Sequence, residues 1–186
     1  QYLDLGGGLG IPYRQGESRP DVADYARRIV ERISGAGGHR YHVLLEPGRS
    51  IVGEAGLLLT RVLYRKRSGE KNFIIVDAAM NDLLRPALYG SYHEIRPATE
   101  DSRRQIVADV VGPVCESGDF FAQDRRLPAP RAGELMAVFT AGAYAASLGS
   151  NYNSRPRPPE VLVEGKSFRV VRERETHEDL TRLERS

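Results

Sequence analysis

Residues 2–10 read YLDLGGGLG, a short β-prone run that ends in three consecutive glycines, one leucine and a fourth glycine. Glycine is favoured where the backbone needs a positive φ or where a ligand comes close to the main chain. Free backbone N–H groups at the end of a strand can hold a phosphate. The loop lacks the lysine of a P-loop and the spacing of a dinucleotide-binding fingerprint. A tight turn beneath a packed helix is the alternative.

The elements that follow predict a parallel sheet. In residues 18–38 apolar side chains recur at helical spacing between a Ser-x-Pro start and closing glycines, and residues 41–46, YHVLLE, form a second strand. Strand, helix and strand in this order are typical of parallel sheets and (β/α) barrels. The remainder predicts mainly strands, in residues 57–67, 73–79, 93–98, 105–115 and 134–141 and in a hairpin at 160–171.

The composition argues against several classes of partner. The 27 cations and 25 anions are interspersed, without a basic run interleaved with aromatics, so nucleic acid is not an expected partner. No apolar stretch approaches the roughly 18 to 20 residues that cross a bilayer, so we expect no membrane partner. The single cysteine, Cys115, excludes an internal disulfide and favours a reducing, cytoplasmic location. No metal site is predicted.

A second glycine-containing loop follows the second strand. It reads Glu46-Pro47-Gly48-Arg49-Ser50. Two consecutive loops of this kind, one with an arginine, resemble the phosphate site that barrels build after their last two strands. The sequence therefore favours a phosphate ligand at these loops.

A further arginine and a tyrosine suit a carboxylate ligand. In residues 80–95, MNDLLRPALYGSYHEI, Arg85 and Tyr89 are four apart and would share one face of a helical turn. Together with Arg49 they would offer guanidinium forks and a phenol. The alternative is that these arginines are solvated at the surface.

Residues 112–119, GPVCESGD, form the most specific motif. Cys115 and Glu116 could supply a proton donor and an anion that binds an amine. The alternative for Cys115 is an inert, buried small hydrophobe. Tyr144 lies among small residues, where its ring could stack on a flat ligand, or it could pack in the core.

Five motifs in order resemble those of the diaminopimelate decarboxylases, a family of alanine-racemase-like enzymes that depend on pyridoxal 5'-phosphate. They are LDLGGGLGIPY, EPGRSIVGEAG, VDAAMNDLLRPALYG, GPVCESGD and GAYAASLGSNYNSRPRPPEVLV. The resemblance implies a (β/α)8 barrel, a C-terminal β domain and a homodimer with shared active sites. Since a barrel needs about 250 residues, we expect its last two units in residues 1–57 and a mainly antiparallel β-barrel or sandwich domain in 58–186.

The resemblance also implies roles for individual residues. Cofactor-binding residues would be Gly6, Gly7, Gly8, Glu46, Gly48, Arg49 and Tyr144, with the glycine amides on the phosphate. Arg49, Arg85 and Tyr89 would bind the distal carboxylate of meso-diaminopimelate, and Glu116 its distal amine, while Tyr144 contacts cofactor and substrate. Cys115 would reach the neighbouring subunit's site and help to protonate the intermediate.

The implied activity is decarboxylation of meso-diaminopimelate to L-lysine. The family's cofactor-binding lysine lies in earlier barrel strands, and Lys66, Lys71 and Lys166 are predicted at the surface, so we expect this chain alone to be inactive. The alternatives are another pyridoxal-phosphate-dependent decarboxylase of basic amino acids, a sugar-phosphate- or nucleotide-binding barrel protein, or a non-catalytic regulatory protein derived from a decarboxylase.

Overall fold

A mixed six-stranded sheet dominates the computed structural model, which describes residues 1–37, 40–99 and 102–185. The strand order is β5-β8-β3-β4-β6-β7, and of the described pairings within this sheet only that of β4 with β6 is parallel. The edge strands approach each other, since Arg125 Nη1 donates to His93 O at 2.8 Å, so the sheet is nearly closed. The strands are β3 Leu58–Ser68, β4 Lys71–Val76, β5 Ile95–Pro97, β6 Gln105–Val111, β7 Phe120–Pro128 and β8 Leu135–Val138.

All six strands contribute apolar side chains to one core. Phe121 is the largest fully buried side chain in the described part of the protein, and burying a large apolar side chain contributes roughly 1.5 to 3 kcal/mol. β-branched and aromatic residues fit a pleated, half-buried surface, which explains why the sheet forms here. Core members include Val62, Ile74, Val76, Ile95, Val110, Leu127, Met136 and Val138.

Strand β7 is absent from the sequence-based expectation. Its middle, residues 123–126, is polar and mostly exposed, and Asp124 has a φ of 47°. The register with β6 shifts between Ala108 and Val110, as at a β-bulge. The bulge and the charged segment break the alternation by which a strand is recognised. Three predicted strands are also too long, since they shorten to Ile95–Pro97, Gln105–Val111 and Leu135–Val138.

The N-terminal part forms a strand–helix–strand unit. β1 Tyr2–Asp4 and β2 His42–Leu44 pair in parallel, as their order predicts, with α1 Val22–Gly35 between them. The helix begins later than predicted because Asp21, not Ser18, caps it, accepting from the amides of residues 23 and 24. Gly38, one of the predicted closing glycines, lies outside the described residues. No described residue of α1 is buried.

Short elements complete the chain. They are α2 Arg49–Val52 with a 3-10 turn Gly53–Ala55, α3 Arg85–Tyr89, α4 Ala145–Leu148, a 3-10 turn Tyr152–Ser154, the hairpin β9 Glu160–Glu164 and β10 Ser167–Arg172, and α5 His177–Thr181. The predicted hairpin is confirmed in antiparallel pairing. Within the described residues, no helix is both long and apolar enough to span a bilayer.

The N-terminal unit joins the sheet through a close backbone contact. Ala141 N donates to Gly56 O at 2.8 Å, and Gly142 N donates to Gly53 O at 3.0 Å. A Cβ on Gly142 would overlap the carbonyl oxygen of Val52. Only glycine therefore permits this approach, which sets α2 beside the segment that leads into α4.

Glu175 ties the segment before α5 to the rest of the chain. Its carboxylate accepts from Arg157 Nε at 2.6 Å, from Arg157 N at 2.8 Å and from Asn151 Nδ2 at 2.7 Å. These hydrogen bonds, those from Arg157 first, lower the pKa of Glu175 from 4.5 to about 2. The stabilisation is therefore present above pH 4.5 and is lost as the pH falls towards 2.

We expect Glu175→Gln to lower the free energy of unfolding at pH 7 by about 1 kcal/mol, because the lost charge-assisted bonds lie near solvent. The difference from wild type should shrink as the pH falls below 4.5, because Glu175 of the unfolded wild-type chain then becomes protonated, whereas in the folded protein its pKa of about 2 keeps the carboxylate charged. Denaturant unfolding between pH 3 and 7 measures this effect. The exposed neighbour Glu173→Gln is the control, and an equal, pH-independent loss in both variants would contradict the prediction.

Candidate functional site

The two glycine-containing loops meet at the carboxyl ends of β1 and β2. Glu46 N donates to Gly6 O at 2.8 Å, and a Cβ on Gly7 would overlap Glu46 O. Gly6 and Gly8 have φ values of +69° and +92°, which favour glycine. Gly6 N donates to Asp4 Oδ1 at 2.8 Å. Of the three consecutive glycines, Gly7 and Gly8 have amides that donate no hydrogen bond within the described residues, so these two amides are available to a ligand.

Two arginines from different loops converge on two tyrosine rings. Arg85 Cζ lies 4.7 Å from the ring centre of Tyr13 and 6.0 Å from that of Tyr144. Arg49 Cζ lies 5.9 and 5.6 Å from the same two centres. All four distances suit cation–π attraction. We call these four residues, Arg49, Arg85, Tyr13 and Tyr144, the arginine–tyrosine cluster.

The backbone places the members of this cluster. Arg49 is the first residue of α2 and Arg85 the first of α3. Tyr144 precedes α4 with a φ of 66°, a left-handed conformation that is unfavourable for a bulky residue. A Cβ on Gly48 would lie 3.9 Å from Tyr144 Oη, so this hydroxyl borders the second glycine loop. The cluster and the loops thus form one continuous site.

The cluster carries uncompensated positive charge. Among the described residues, neither Arg49 nor Arg85 forms an ion pair with a carboxylate. Arg85 is only 6% exposed, and its Nη1 lies 3.0 Å from His93 Nε2. A buried cation without a counterion attracts an anionic ligand. The site is therefore suited to phosphate or carboxylate groups.

Tyr13 was not singled out from the sequence, although it closes the first motif. Its hydroxyl is buried and has no hydrogen-bond partner within the described part of the chain. An unsatisfied buried hydroxyl is unfavourable, so a ligand oxygen there would relieve it. Nothing local in the sequence separates Tyr13 from a core tyrosine.

Tyr89 does not join the cluster in the described residues. It lies one turn after Arg85 but is 66% exposed, whereas Arg85 is buried. α3 ends at Tyr89, and Gly90 follows with a φ of 61°. The spacing of four residues predicted a common face for the two side chains, and the binding role of Tyr89 stays a prediction.

The loop of residues 112–119 presents Cys115 to solvent. Cys115 is exposed, so the alternative of a buried, inert cysteine is wrong. Glu116 accepts from Gly118 N at 3.2 Å, and Tyr152 Oη lies 3.5 Å from its Oε2. No contact described in the structure joins Cys115 or Glu116 to the arginine–tyrosine cluster.

Asp119 anchors this loop. Its buried carboxylate accepts from Val114 N and Met80 N, both at 2.7 Å. Burial raises the pKa of Asp119, and these two amide bonds oppose the rise. Gly112 lies against the carboxylate, where a Cβ would overlap it. The sequence offered no signal for this role beyond the motif itself.

The three lysines lie away from the cluster. Lys66 is exposed on β3, and Lys166 is exposed in the turn of the β9–β10 hairpin. Lys71 is half exposed, as expected near the surface, but its Nζ lies 2.8 Å from the buried carboxylate of Asp109. Across the described residues, no group of three or more His, Cys, Asp and Glu side chains could hold a metal ion.

A basic, tyrosine-lined site beside two glycine-containing loops is suited to an enzyme that binds a phosphorylated cofactor and a carboxylate substrate. The family described as "Pyridoxal-dependent decarboxylase, C-terminal sheet domain" matches residues 21–142, and the chain belongs to this family. Its members depend on pyridoxal phosphate, so membership decides against the sugar-phosphate- and nucleotide-binding alternative.

Curated relatives carry the name diaminopimelate decarboxylase. That of Aquifex aeolicus is 48% identical over 181 residues, which cover 96% of this chain and 42% of the relative. That of Methanothermobacter thermautotrophicus is 51% identical over 190 residues, which cover 98% of this chain and 44% of the relative. The chain thus spans less than half the length of these relatives.

Solved structures also match nearly all of this chain to less than half of a diaminopimelate decarboxylase chain. The Helicobacter pylori diaminopimelate decarboxylase complexed with L-lysine matches with a TM-score of 0.89 and 46% identity, over 99% of this chain and 44% of that chain. The enzyme of M. jannaschii, also with L-lysine, matches with a TM-score of 0.92 and 38% identity, over 98% and 42% of the two chains. The fold of the described residues is therefore that of a known C-terminal sheet domain and the segment before it.

We expect Gly7→Ala to separate the two glycine loops, because the added methyl group would overlap Glu46 O. The free energy of unfolding should fall by about 1 to 3 kcal/mol, as for overpacking elsewhere. Gly10→Ala is the matched control, since a methyl group there meets nothing within 4 Å, and its effect should stay within about 0.5 kcal/mol. Thermal unfolding compares the two, and equal stabilities would contradict the contact.

Asp119→Asn should loosen the loop that carries Cys115, because an amide oxygen cannot accept both backbone N–H groups in place of the carboxylate. One buried donor left unpaired costs about 1 to 3 kcal/mol. Hydrogen exchange should show protection of the Val114 amide falling by roughly tenfold or more. Asp124→Asn, at an exposed carboxylate, is the control, and unchanged Val114 protection in Asp119→Asn would refute the anchor.

Proposed function

We propose that this chain supplies the C-terminal part of a decarboxylase that converts meso-2,6-diaminopimelate to L-lysine and carbon dioxide. The observation that carries the proposal is the pair Arg49 and Arg85, which face tyrosine rings and have no carboxylate partner in the described residues. A substrate that keeps a second carboxylate needs such cations. The relatives that share this chain's motifs bear the corresponding enzyme name.

The residues present fit pyridoxal 5'-phosphate. The amides of Gly7 and Gly8 and the loop of Glu46, Gly48 and Arg49 would hold its phosphate and ring, with Gly6 fixing the turn and Tyr144 beside the ring. Two observations support this fit. A Cβ on Gly7 would overlap Glu46 O, so only glycine lets the two loops come this close. The buried Tyr13 hydroxyl lacks a hydrogen-bond partner among the described residues. When bound, the cofactor withdraws the electrons left by the departing carboxylate.

The protein's own residues would orient the substrate. Arg85 and Arg49 would bind the distal carboxylate, so that the carboxylate to be lost points away from these cations. Tyr89 is assigned to the same carboxylate by resemblance, although it is exposed in this structure. Decarboxylases of simple diamino acids have no second carboxylate to bind, so the buried, uncompensated charge of Arg85 favours diaminopimelate over lysine or ornithine as substrate.

Cys115 and Glu116 are proposed to act in the active site of a second subunit. Their loop is solvent-exposed, anchored by Asp119, and makes no described contact with the arginine–tyrosine cluster of its own chain. The Cys115 thiol would donate a proton to the carbon that has lost carbon dioxide, and Glu116 would pair with the distal ammonium group. This arrangement requires a homodimer with shared sites.

The domain proposal follows the same correspondence. Residues 1–57 would be the last two units of a (β/α)8 barrel, and residues 58–186 the C-terminal β domain. The parallel β1–β2 pair with α1 between its strands supports the first assignment, and the nearly closed sheet supports the second. A cytoplasmic enzyme without nucleic-acid or membrane partners remains the prediction.

The proposal predicts carbon dioxide release from meso-diaminopimelate by the complete polypeptide that contains this sequence. Arg85→Ala should raise KM by at least about tenfold, since it removes a charged hydrogen-bond donor to the substrate. Arg65→Ala, at an exposed arginine of β3, is the control and should leave KM unchanged. Release from lysine or ornithine but not from diaminopimelate would favour the alternative decarboxylase.

Shared sites predict complementation between two variants that are each impaired when activity is measured at a substrate concentration well below KM. Cys115→Ala and Arg85→Ala homodimers would each lack one contribution to every site. After subunit exchange, half of the dimers are mixed and each of these has one intact site, so activity should return to about a quarter of wild type. Activity that stays at the level of the separate variants would show that both residues serve the same subunit's site.

A further inference from the structure

His93 lies directly behind Arg85 and belongs to none of the roles proposed so far. It is fully buried in the turn between α3 and β5. Its Nε2 lies 3.0 Å from Arg85 Nη1, and its Nδ1 lies 2.9 Å from the carbonyl oxygen of Phe139. Both ring nitrogens are therefore engaged.

These two partners determine the protonation state of His93. A carbonyl oxygen can only accept, so Nδ1 must carry a hydrogen and donate it to Phe139 O. A guanidinium group can only donate, so Nε2 must be a bare acceptor for Arg85. The ring is consequently neutral and in the Nδ1–H form.

A neutral acceptor has a different effect on Arg85 from a carboxylate. A carboxylate at the same place would orient the guanidinium but also cancel its charge. The imidazole orients it and leaves the charge in place. On another side, the Tyr13 ring lies 4.7 Å from Arg85 Cζ and meets the His93 ring edge-on at 5.3 Å, which restricts the guanidinium further.

We propose that His93 is a positioning residue of the carboxylate site, which fixes the direction of Arg85 through a neutral ring nitrogen and keeps its positive charge available to the substrate. The inference deepens the proposed function and rests on it. No contact of His93 with the substrate is required, because its effect passes through Arg85.

The surroundings of His93 maintain its neutral form. Among the described residues, two cations face His93: Arg85 at Nε2, and Arg125, whose Nη1 donates to the His93 carbonyl oxygen at 2.8 Å. The carboxylate of the next residue, Glu94, is engaged by Tyr92 Oη at 2.6 Å. Burial, and then the two arginines, lower the pKa of His93 against the opposing bond to Phe139. Protonation of His93 would place an N–H at Nε2 opposite the N–H of Arg85 Nη1, and two donors cannot form a hydrogen bond with each other.

The protonation form can be measured without activity. In the complete polypeptide labelled with 15N-histidine, the His93 resonances, assigned by their loss in His93→Gln, should show hydrogen on Nδ1 and a bare Nε2. The ring should stay neutral at pH 6, where an exposed histidine with its ordinary pKa near 6.5 is largely charged. Hydrogen on Nε2, or titration with an ordinary pKa, would overturn the inference.

Two ligands that differ by one group test the effect on Arg85. L-lysine carries the carboxylate that remains after decarboxylation, and cadaverine is the same diamine without it. His93→Leu should weaken binding of L-lysine to the holoenzyme by about tenfold and change cadaverine binding by less than about twofold, because only L-lysine uses Arg85. Isothermal calorimetry measures both. Equal weakening for the two ligands would indicate a merely structural role and overturn the inference.

A double-mutant cycle shows whether the effect passes through Arg85. In an Arg85→Ala background, His93→Leu should add less than about twofold to the loss of L-lysine affinity. His93→Gln, which keeps a neutral acceptor, should retain more of the affinity than His93→Leu. His177→Gln, at an exposed histidine of α5, is the control. Additive losses in the cycle would refute the positioning role.

The outcomes separate the inference from the proposed function. If the wild-type polypeptide binds L-lysine more tightly than cadaverine but does not turn over meso-diaminopimelate, the proposed reaction fails while the role of His93 is supported by the cycle. If wild type shows no preference for L-lysine over cadaverine, Arg85 binds no carboxylate and the inference is overturned. Should His93→Leu fail to fold, the NMR measurement on wild type decides alone.

Discussion

The site depends on one backbone contact between two parts of the chain. The amides of Ala141 and Gly142 donate to carbonyl oxygens in the segment that follows α2, and the absence of a side chain at Gly142 lets the two main chains touch. This contact brings Arg49 from the N-terminal unit to Tyr144 from the sheet domain. Hydrogen bonds between main chains are directional, so they fix the approach more narrowly than apolar packing alone would.

Electrostatics distinguish the arginine–tyrosine cluster from the rest of the surface. Elsewhere arginines commonly lie beside carboxylates, as with Arg157 and Glu175 or Arg103 and Glu134. In the cluster, aromatic faces and the imidazole of His93 take the place of anions around Arg85. Aromatic rings stabilise cations only partly compared with an ion pair. The guanidinium of Arg85 is thus held in place while its positive charge remains without a counterion among the described residues.

The sequence predicted those strands and loops that are determined by neighbouring residues along the chain. Short continuous apolar runs, at residues 73–76 and 161–163, predicted β4 and the β9–β10 hairpin, and the glycines predicted both loops. β7 could not be found in this way, because its bulge at Asp124 interrupts the period of two. Spacing on one turn placed Arg85 and Tyr89 on a common face but could not predict that Arg85 is buried while Tyr89 is exposed, since burial on so short a helix is decided by distant packing.

The members of the site that were missed act through long-range contacts. His93 is defined by Arg85 on one side and Phe139 O on the other, and Tyr13 by residues far along the chain. Asp119 similarly joins its own loop to Met80. Such roles depend on tertiary geometry, and no residue type or spacing indicates them. The role of Arg85 in binding a carboxylate could, by contrast, be proposed from the sequence, because Tyr89 follows four residues later and the two side chains together suit a carboxylate.

The left-handed backbone at Tyr144 implies a conflict between two kinds of selection. A non-glycine residue with a φ of 66° is disfavoured by about 1 to 2 kcal/mol, so glycine or asparagine would relax the main chain there. A screen for thermostability alone would therefore enrich replacements at this position, while a screen for ligand binding would remove them because the ring would be gone. Tyr144 is a position at which improved folding and retained recognition select different residues.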